Sequence, residues 1–478
     1  MSPFDKARYE RLLEGLEATE ICYAEALQAD SAFRIDSEFF RRTILRAKAQ
    51  FERQRKVHRL AEISPSIEHP IEVTRAYSDD GGHRVLLAQE VRSNILMLGE
   101  GSYLDSPIAA FLKKNRLGVG DIVLTRTGAN FGQCAPVLSE ATLFACADLL
   151  ILRKGSLPAE YISTVLNTSQ GRLILDRGAY GMAQPHIAPT YLNGIPIPVF
   201  DQLVEPVRNA VRLATHERDA GLAALSRAEN MLLHALGLDT WTPPEALSYV
   251  RSSREAFASG RLDAEHFQPR FAALAAKLAA IGNSERLGDQ LLFNARGRQP
   301  EYADEGLPVI NSKHVLRNEV RYDDDNRRAV FDDDSLLIET GDVLINGTGV
   351  GTIGRAAAYL HQSPALPDNH VTILRPNSKL DPVYLAVFLN SMAGQLQVDQ
   401  RLRGSSGQIE LYPADIAEFQ IWVAPKPLQL DIRRQVEQSF AQRQRANQLL
   451  DAARRAVEIA VEDSEAAARA YLEEKNSR

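Results

Sequence analysis

The sequence predicts an α+β protein made of two similar globular parts and two long helices. Three observations predict this fold class: blocks of sequence recur in order, two stretches carry the apolar spacing of long helices, and the regions between them mix short strand patterns with glycine and asparagine turns. With 478 residues, the chain has room for roughly two to four domains.

Five blocks of the first half recur in the second half in the same order. FRIDSEFF matches GRLDAEHF, HRVLLAQEV matches LPVINSKHV, and GDIVLTRTG matches GDVLINGTG. YISTVLNTSQGRL matches YLAVFLNSMAGQL, and IPIPV matches FQIWV. The offsets are 227, 224, 221, 223 and 224 residues, and chance would not keep five ordered matches this close to one offset. The duplication predicts a molecule with two-fold pseudosymmetry.

A further match makes the repeat circular. ERLLEGL at Glu10 resembles NMLLHALGL at Asn230, so the N-terminal segment, residues 1–59, is predicted to be helical. Each repeat would then consist of a globular part, a long helix and a short linker, with the chain beginning inside the helical part.

Two stretches carry the spacing of long helices that pack on another helix. Apolar residues recur every three or four positions from Asp201 to Leu236, with interruptions at Arg218 and Gly221, and the stretch from Leu428 to Leu472 is similar. Each stretch follows a proline-rich strand end, IPIPV or VAPKP. At about 1.5 Å per residue, such helices would be roughly 50 to 65 Å long and would form a rigid spacer.

The domain boundaries follow from these patterns. Residues 60–200 and 287–424 are predicted to be the α+β globular parts, because short alternating strands and turns dominate them. Residues 201–286 and 425–478 are predicted to be helical regions, and Pro243 and Pro244 mark a linker within the first of these.

Charge and hydropathy exclude some classes of protein. Lysine and arginine total 55 against 62 acidic residues, so the net charge of −7 gives no whole-chain signature of nucleic-acid binding. Residues 319–334 carry seven acidic residues and three arginines, and we expect them to face away from any phosphate. No apolar run approaches the roughly 20 residues of a membrane helix, and the first residues lack a signal-peptide pattern. We therefore expect a cytoplasmic protein.

Motifs of enzymes and metal sites are incomplete in this sequence. Gly349, Gly351 and Gly354 form G-x-G-x-x-G, but the first copy has glycine, asparagine and glutamine at the matching positions, so a tight hairpin is the preferred interpretation. Pro243–Pro244 lacks the flanking residues of an amino-group DNA methyltransferase, and Pro367–Asp368 lacks the E-x-K of a nuclease. The three cysteines form no C-x-x-C pair, and no H-E-x-x-H or P-loop occurs. The sequence therefore predicts a binding protein with no catalytic residue and no metal.

Local groups of basic and amide side chains are candidates for DNA contact. Arginine and lysine bind phosphates, and arginine, asparagine and glutamine can form paired hydrogen bonds with base edges. Lysines and arginines near one another in the first part, and loops such as 130–133 and 311–314, fit these roles. The candidates are Lys113, Lys114, Arg116, Arg126, Asn130, Gln133, Arg296, Arg298, Asn311, Lys313, His314, Arg401, Arg403, Ser405, Ser406 and Gln408.

The repeated blocks resemble the specificity subunit of type I restriction-modification systems. The resemblance is carried by GDIVLTRTG and GDVLINGTG, by the GRLDAEHFQPRF block, and by RGSSGQIELYPADIAEFQIWV running into a long helix, with GAYGMAQPHIAPTYLNGIPIPV as its counterpart. It covers nearly the whole chain.

The resemblance implies two target-recognition domains, each reading one half of a bipartite, asymmetric DNA site, and two long helices packed as an antiparallel coiled coil. It also implies two partner modification subunits, which carry S-adenosylmethionine and methylate adenine at N6, and restriction subunits that join them. This chain would hold no cofactor. The helix residues assigned to partner binding are Val204, Val211, Leu225, Leu232, Val436, Leu450 and Val457. A duplicated, non-catalytic scaffold or adaptor of another phage-defence complex is the alternative.

Overall fold

The computed structural model describes residues 6–14, 19–29, 34–72, 82–98, 101–128, 130–181, 185–322, 326–331, 336–404 and 409–476. These residues belong to two units, one formed by residues 1–218 with 443–478 and the other by residues 219–442. No described helix has both the length and the apolar character needed to cross a membrane.

The first unit is an α+β fold, and its elements up to the first long helix follow in chain order. They are α1 (Lys6–Leu12), α2 (Tyr23–Ala29), α3 (Arg42–Glu52), β1 (Val57–Arg59), α4 (Leu60–Ile63), β2 (Ile67–Glu68), β3 (His83–Leu86), β4 (Val91–Arg92), β5 (Ile95–Leu96), β6 (Ser102–Leu104), α5 (Ser106–Phe111), β7 (Ile122–Thr125), β8 (Cys134–Pro136), β9 (Leu143–Ala145), β10 (Leu149–Leu152), α6 (Ala159–Asn167), α7 (Ser169–Arg177), β11 (Ala179–Tyr180), β12 (His186–Ile187), α8 (Pro189–Asn193), β13 (Pro196–Pro198) and α9 (Asp201–Ala235).

The second unit follows, and the chain then returns to the first. The remaining elements are α10 (Ser253–Ser259), α11 (Pro269–Ile281), β14 (Ser284–Arg286), β15 (Leu291–Arg296), β16 (Tyr302–Ala303), β17 (Leu307–Ile310), β18 (Arg328–Ala329), β19 (Val343–Asn346), β20 (Ala356–Ala358), β21 (Leu366–Pro367), β22 (Val371–Pro376), α12 (Pro382–Asn390), α13 (Met392–Arg401), α14 (Pro413–Ala417), β23 (Gln420–Trp422), α15 (Lys426–Glu462) and α16 (Glu465–Asn476).

The two units share one sheet topology, as the duplication predicts. An antiparallel four-stranded sheet has the order β2-β10-β7-β8 in the first unit and β15-β22-β19-β20 in the second. Beside it, β3 pairs in parallel with β9 and antiparallel with β6, and β17 pairs in the same way with β21 and β18. The prediction of two similar α+β parts is confirmed.

Each central strand is buried on both faces, which explains its continuous apolar sequence. Successive side chains of a strand point to opposite faces of the sheet. In β7, Ile122 and Leu124 pack with the helical side of the first unit, and Val123 packs in a separate core cluster. In β19, Val343 and Leu344 divide in the same way. The middle of each sheet is therefore a fixed base for the loops at its ends.

A buried tyrosine ties the first helix after the sheet to the last strand in both units. The Tyr161 hydroxyl donates to the Pro198 carbonyl over 3.0 Å, and the Tyr384 hydroxyl donates to the Trp422 carbonyl over 2.6 Å. Burial raises the pKa of both phenols well above their ordinary value. Both hydroxyls therefore remain protonated donors.

The long helices pack on each other inside each unit. In the first unit, Ala214 of α9 clusters with Ala446 and Leu449 of α15, and the Gln202 backbone N–H near the start of α9 donates to Glu465 just beyond α15. These helix segments therefore run antiparallel. In the second unit, α9 and α15 contribute to one core, and the Arg227 Nε donates to Gln435 over 3.0 Å. Helix α9 is continuous through Arg218 and Gly221, the positions where the sequence pattern is interrupted.

The globular parts begin earlier than positions 60 and 287. Strand β1 pairs with β13, and β14 pairs with β23, so the first and last strands of each globular part lie side by side. Helices α3 and α11 pack against α7 and α13 of the same parts. The boundaries at 60 and 287 are therefore corrected, because long-range strand pairing brings the preceding segments into the globular parts. The tight hairpin at the G-x-G-x-x-G string is confirmed, since β19 pairs antiparallel with β20.

Candidate nucleic-acid interface

A buried asparagine joins the edge strand β8 to the turn between β4 and β5 in the first unit. The Asn167 amide at the end of α6 donates to the carbonyl of Cys134 over 2.7 Å and to the side chain of Asn94 over 3.0 Å. Asn94 has φ 64°, a left-handed conformation that asparagine tolerates better than most residues. Its backbone N–H donates to the same Cys134 carbonyl.

The second unit repeats this arrangement. The Asn390 amide donates to the Ala356 carbonyl over 2.6 Å and to the side chain of Asn318 over 2.9 Å. Asn318 has φ 63°, and its N–H donates to the same Ala356 carbonyl. The three residues are 223, 222 and 224 positions after their counterparts, so the duplication extends to hydrogen bonds in the core.

The GD dipeptides of the repeated GDIV and GDVL blocks fix the start of the middle strand. Asp121 accepts from the backbone N–H three residues earlier over 2.9 Å, and from Arg153 over 2.8 Å. Asp342 accepts from the equivalent N–H over 2.7 Å, and from Arg375 over 2.7 Å. These aspartates are buried structural residues, and they mark one end of each sheet.

An arginine clamp joins the segment before α3 to the hairpin of β11 and β12. Arg34 forms two hydrogen bonds to Asp36, at 2.8 and 2.9 Å, and donates to the carbonyls of Arg177 and Ala179, at 3.0 and 2.6 Å. The hydrogen bond from Arg34 lowers the pKa of Asp36. Because Ala179 pairs with Ile187, Arg34 holds the base of this hairpin.

The corresponding clamp in the second unit is Arg261 with Asp263. Its two hydrogen bonds are both 2.6 Å, and Arg261 also donates to the Leu402 carbonyl over 3.0 Å. The bond from Arg261 lowers the pKa of Asp263 to about 2. Leu402 precedes Arg403, whose backbone pairs with Glu410, so this arginine also lies at the base of a hairpin.

Loops converge at the opposite end of the second unit's sheet from Asp342. Arg296, at the end of β15, donates to the Asn369 carbonyl over 2.7 Å, and its side chain lies 3.6 Å from Glu410. The Thr348 hydroxyl lies 2.6 Å from Nδ1 of His370. The second rim is defined here as Arg296, Thr348, His370 and Glu410.

Tyr412 extends this rim on its exposed side. The Arg296 guanidinium lies 5.7 Å from the centre of the Tyr412 ring, within the range of a cation–π contact. A hydrogen bond to Glu410 raises the pKa of Tyr412. The second rim and Tyr412 therefore bring four kinds of side chain to one end of the sheet: an arginine, a histidine, a carboxylate and a phenol. Such side chains can contact phosphates and base edges.

The first unit presents the same positions with different side chains. Nε2 of His69 lies 2.9 Å from the Ala147 carbonyl oxygen. This contact corresponds to the hydrogen bond from Arg296 to the Asn369 carbonyl in the second unit. The Thr127 hydroxyl donates to Asp148 over 2.9 Å. His186 of β12 corresponds to Glu410 at an offset of 224. The first rim is defined here as His69, Thr127, Asp148 and His186.

The two rims differ in sequence, whereas the residues that support them, called the shared frame here, are the same in both units. Threonine is retained at one matched rim position. At the other three, histidine in the first unit corresponds to arginine in the second, aspartate to histidine, and histidine to glutamate. The buried asparagines, the GD turns and the arginine clamps are the same in both units. The two copies therefore hold one backbone arrangement and present different hydrogen-bonding groups on it.

The predicted basic cluster of the first unit is divided by the structure. Lys113, Lys114 and Arg116 are exposed, but the carbonyls of Lys114 and Arg116 accept from Arg153 beside Asp121, at the start of β7. Arg126 follows the other end of this strand. The expectation that these four residues form one surface is therefore wrong, because a full strand lies between them.

Other predicted residues lie near the ends of β7 and β19. Arg126 and Gln133 are half-buried in the β7–β8 loop, and Asn130 lies there with its amide 3.5 Å from the Ala88 carbonyl. In the second unit, Arg298 and Lys313 are exposed and Asn311 is half-buried; Arg403 is exposed and bonded to Asp415 at 2.6 Å. Ser405, Ser406 and Gln408 lie outside the described residues.

His314 and Arg401 have structural roles. His314 is 2% exposed, and its Nδ1 accepts from the Asn311 N–H, just as Glu90 accepts from the Leu87 N–H in the first unit. Arg401 lies over Phe419, and burial lowers its pKa. The assignment of His314 as a base-contacting residue is therefore corrected, since its ring is enclosed by the fold.

The helix residues assigned to partner binding are turned toward the chain itself. Val211, Leu232, Val436 and Val457 are fully buried, and the other three are partly buried against the same cores. They form the predicted helix seam. The assignment of Val211, Leu232, Val436 and Val457 to partner binding is corrected, because the chain's own core encloses these side chains.

Sequence reasoning missed most of the two rims. It named Arg296 and none of the other seven, which are His69, Thr127, Asp148, His186, Thr348, His370 and Glu410. The repeat itself contained the signal, because each missed residue is at the repeat offset from another polar residue that follows or precedes a strand. Within the described residues, no group of three histidine, cysteine or acidic side chains is placed to hold a metal ion.

Comparison with known proteins gave similar solved structures but no family match. No protein-family model matches the chain, and no curated protein matches it. A crystal structure of the S subunit of a type I restriction-modification system from M. genitalium has a TM-score of 0.39 and 12% identity, over 87% of this chain and 95% of that chain. A structure described as showing complex assembly and conformational transition of the type I R-M system has a TM-score of 0.29 and 13% identity, over 88% and 97%. A crystal structure of the HsdS subunit from Thermoanaerobacter tengcongensis has a TM-score of 0.25 and 13% identity, over 88% and 96%.

Proposed function

We propose that this chain is the DNA sequence-specificity subunit of a type I restriction-modification complex. Each globular unit reads one half of a bipartite, asymmetric DNA site. The observation that carries the proposal is the contrast between the shared frame and the divergent rims. A duplicated protein that bound the same ligand twice would retain its contact residues, whereas one that reads two different sequences retains the frame and changes the contacts.

The rims approach the major groove of the duplex. Base edges there present distinct patterns of donors and acceptors, and the rim side chains supply both kinds of group. Exposed cations near the second rim, Arg298 and Lys313, contact phosphates and set the register. Binding therefore depends on local positive charge even though the net charge of the chain is −7.

The partners are two modification subunits, which dock on the outward faces of the long helices. Leu213 and Leu222 of α9 and Leu430 of α15 are 42%, 40% and 52% exposed, so these faces keep apolar side chains after the seam is formed. The modification subunits carry S-adenosylmethionine and methylate adenine at N6, and restriction subunits join the assembly. The chain itself supplies recognition and no catalytic residue.

The salt dependence of DNA binding separates this proposal from a protein-binding scaffold. The chain, purified with its modification subunit, is titrated with duplex DNA at several salt concentrations. A DNA reader loses affinity steeply as salt rises, because bound phosphates release counterions. Lys313→Gln should reduce the slope by about one, and Lys379→Gln, an exposed lysine at the opposite end of the sheet, should leave it unchanged. Absence of salt-dependent binding would instead favour the scaffold.

A change in helix length tests how the half-sites are spaced. Insertion of helical residues between Glu205 and Leu232 of α9, with a matching insertion in α15, should change the number of unread base pairs between the half-sites. The base sequence of each half-site should remain the same. A change in either half-site with an unchanged spacer would contradict the role of the helices as a ruler.

A further inference from the structure

One matched pair of the two rims, Asp148 and His370, differs in hydrogen-bonding character although each side chain contacts the matched threonine of its own unit. In the first unit, the Thr127 hydroxyl donates to Oδ1 of Asp148 over 2.9 Å. In the second unit, the Thr348 hydroxyl lies 2.6 Å from Nδ1 of His370. The threonines are 221 residues apart, and their partners are 222 residues apart.

The backbone places these side chains in equivalent positions. The Arg126 N–H donates to the Asp148 carbonyl over 2.8 Å, and the Gly347 N–H donates to the His370 carbonyl over 2.8 Å. Asp148 and His370 are both exposed. Each therefore has its main chain fixed by a strand end, one side-chain atom fixed by threonine, and the remainder facing solvent.

The fixed hydrogen bond determines what each side chain offers to a ligand. A carboxylate that accepts from Thr127 through Oδ1 presents Oδ2 as a further acceptor. When the Thr348 hydroxyl donates to Nδ1, as Thr127 donates to Asp148, the proton of the neutral imidazole is on Nε2, and this atom is a donor. In the protonated imidazole Nε2 is a donor as well.

The groups around the two side chains also differ. His370 has Asp368 two residues earlier, whose carboxylate accepts from the His370 N–H over 2.9 Å, and Arg296 on the neighbouring strand. Asp148 has His69 nearby, which directly follows β2, the counterpart of the strand that carries Arg296. The second position is therefore flanked by a cation and an anion, and the first by an imidazole.

We propose that Asp148 and His370 are specificity-determining residues of opposite character, one in each half-site. Asp148 accepts from an exocyclic amine in the major groove, on cytosine N4 or adenine N6. His370 donates to a major-groove acceptor, such as guanine O6 or N7 or thymine O4. Thr127 and Thr348 are positioning residues that hold each group in one orientation. This inference rests on the proposed function.

The test is selection of sequences from a pool of randomised duplexes by the chain bound to its modification subunit. Asp148→Asn, which keeps the shape but adds a donor, should change the preferred base at one position of one half-site by about tenfold. His370→Gln should do so at one position of the other half-site. Thr127→Val should weaken the base preference at the same DNA position that Asp148→Asn changes. Glu140→Gln, an exposed acid after the far end of β8, is the matched control and should leave the selected sequence unchanged.

The outcomes distinguish this inference from the proposed function. Selection of no split sequence by the unchanged protein would overturn the proposed function itself. A split sequence that stays the same in Asp148→Asn and His370→Gln would overturn only the inference, as would changes by both variants in one half-site. Complete loss of selection by a variant with an unchanged circular dichroism spectrum would also count against it, because the other positions would still be read.

Discussion

Replacing Asn390 by alanine should destabilise the second unit by about 2 to 4 kcal/mol. Asn390 is 5% exposed, and its Oδ1 accepts from the Ala356 N–H over 3.0 Å. Loss of this acceptor leaves a buried N–H without its partner, at a cost of about 1 to 3 kcal/mol. The carbonyl of Ala356 keeps its bond from the Asn318 N–H, so the loss of the remaining amide contacts adds about 1 kcal/mol.

The tryptophans allow the effect to be localised. Both tryptophans of the chain, Trp241 and Trp422, belong to the second unit. In urea, the fluorescence midpoint of Asn390→Ala should fall by about 1 M, given typical denaturant slopes. Asn167→Ala should shift the far-ultraviolet circular dichroism transition and leave tryptophan fluorescence less affected. Asn230→Ala, at an exposed position on α9, is the control. A loss below about 1 kcal/mol in Asn390→Ala would refute the role assigned to this asparagine.

Further predictions concern the clamps and the thiols. Arg34→Lys and Arg261→Lys lose the two-pronged bond to aspartate and should each weaken discrimination at one half-site about tenfold in competition binding, while a loss shared equally by both half-sites would argue against local clamps. Because Arg261 lowers the pKa of Asp263 to about 2 from an ordinary 3.8, its contribution is present above pH 4 and lost as pH falls toward 2; Asp263→Asn should remove that part of the acid sensitivity of the fluorescence midpoint. Burial raises the pKa of Cys134 to about 12, so iodoacetamide at pH 8 should modify the exposed Cys22 first, as peptide mapping would reveal.

The repeat made much of the fold predictable. The matched blocks contain the strands β3, β7 and β13, their counterparts β17, β19 and β23, and most of the helices α6 and α12. Similar sequence therefore predicted similar structure at these elements. The seam residues of α9 and α15 were also predictable, because a spacing of three and four residues places apolar side chains on one face of a helix. Val211 and Val457 are buried there as expected.

The features that the sequence did not predict depend on contacts between residues that are distant in sequence. Strand β1 has only three residues and gains its partner β13 from about 140 positions away, so local sequence could not place it in the first globular part. His314 is a residue type that can contact DNA, but the surrounding fold buries its ring, and burial of this kind is not visible in the local sequence. The rims were missed because the repeat relates these polar residues in pairs, one in each unit, but does not say which residues of one unit are neighbours in space.

The DNA sequence that the chain selects together with its modification subunit decides whether the two units read different half-sites. Selection from randomised duplexes, or mapping of modified adenines in a host that expresses both proteins, would give that sequence. We expect two short blocks of different sequence, separated by a fixed number of unread base pairs. One continuous block, or two identical blocks in inverted orientation, would contradict it.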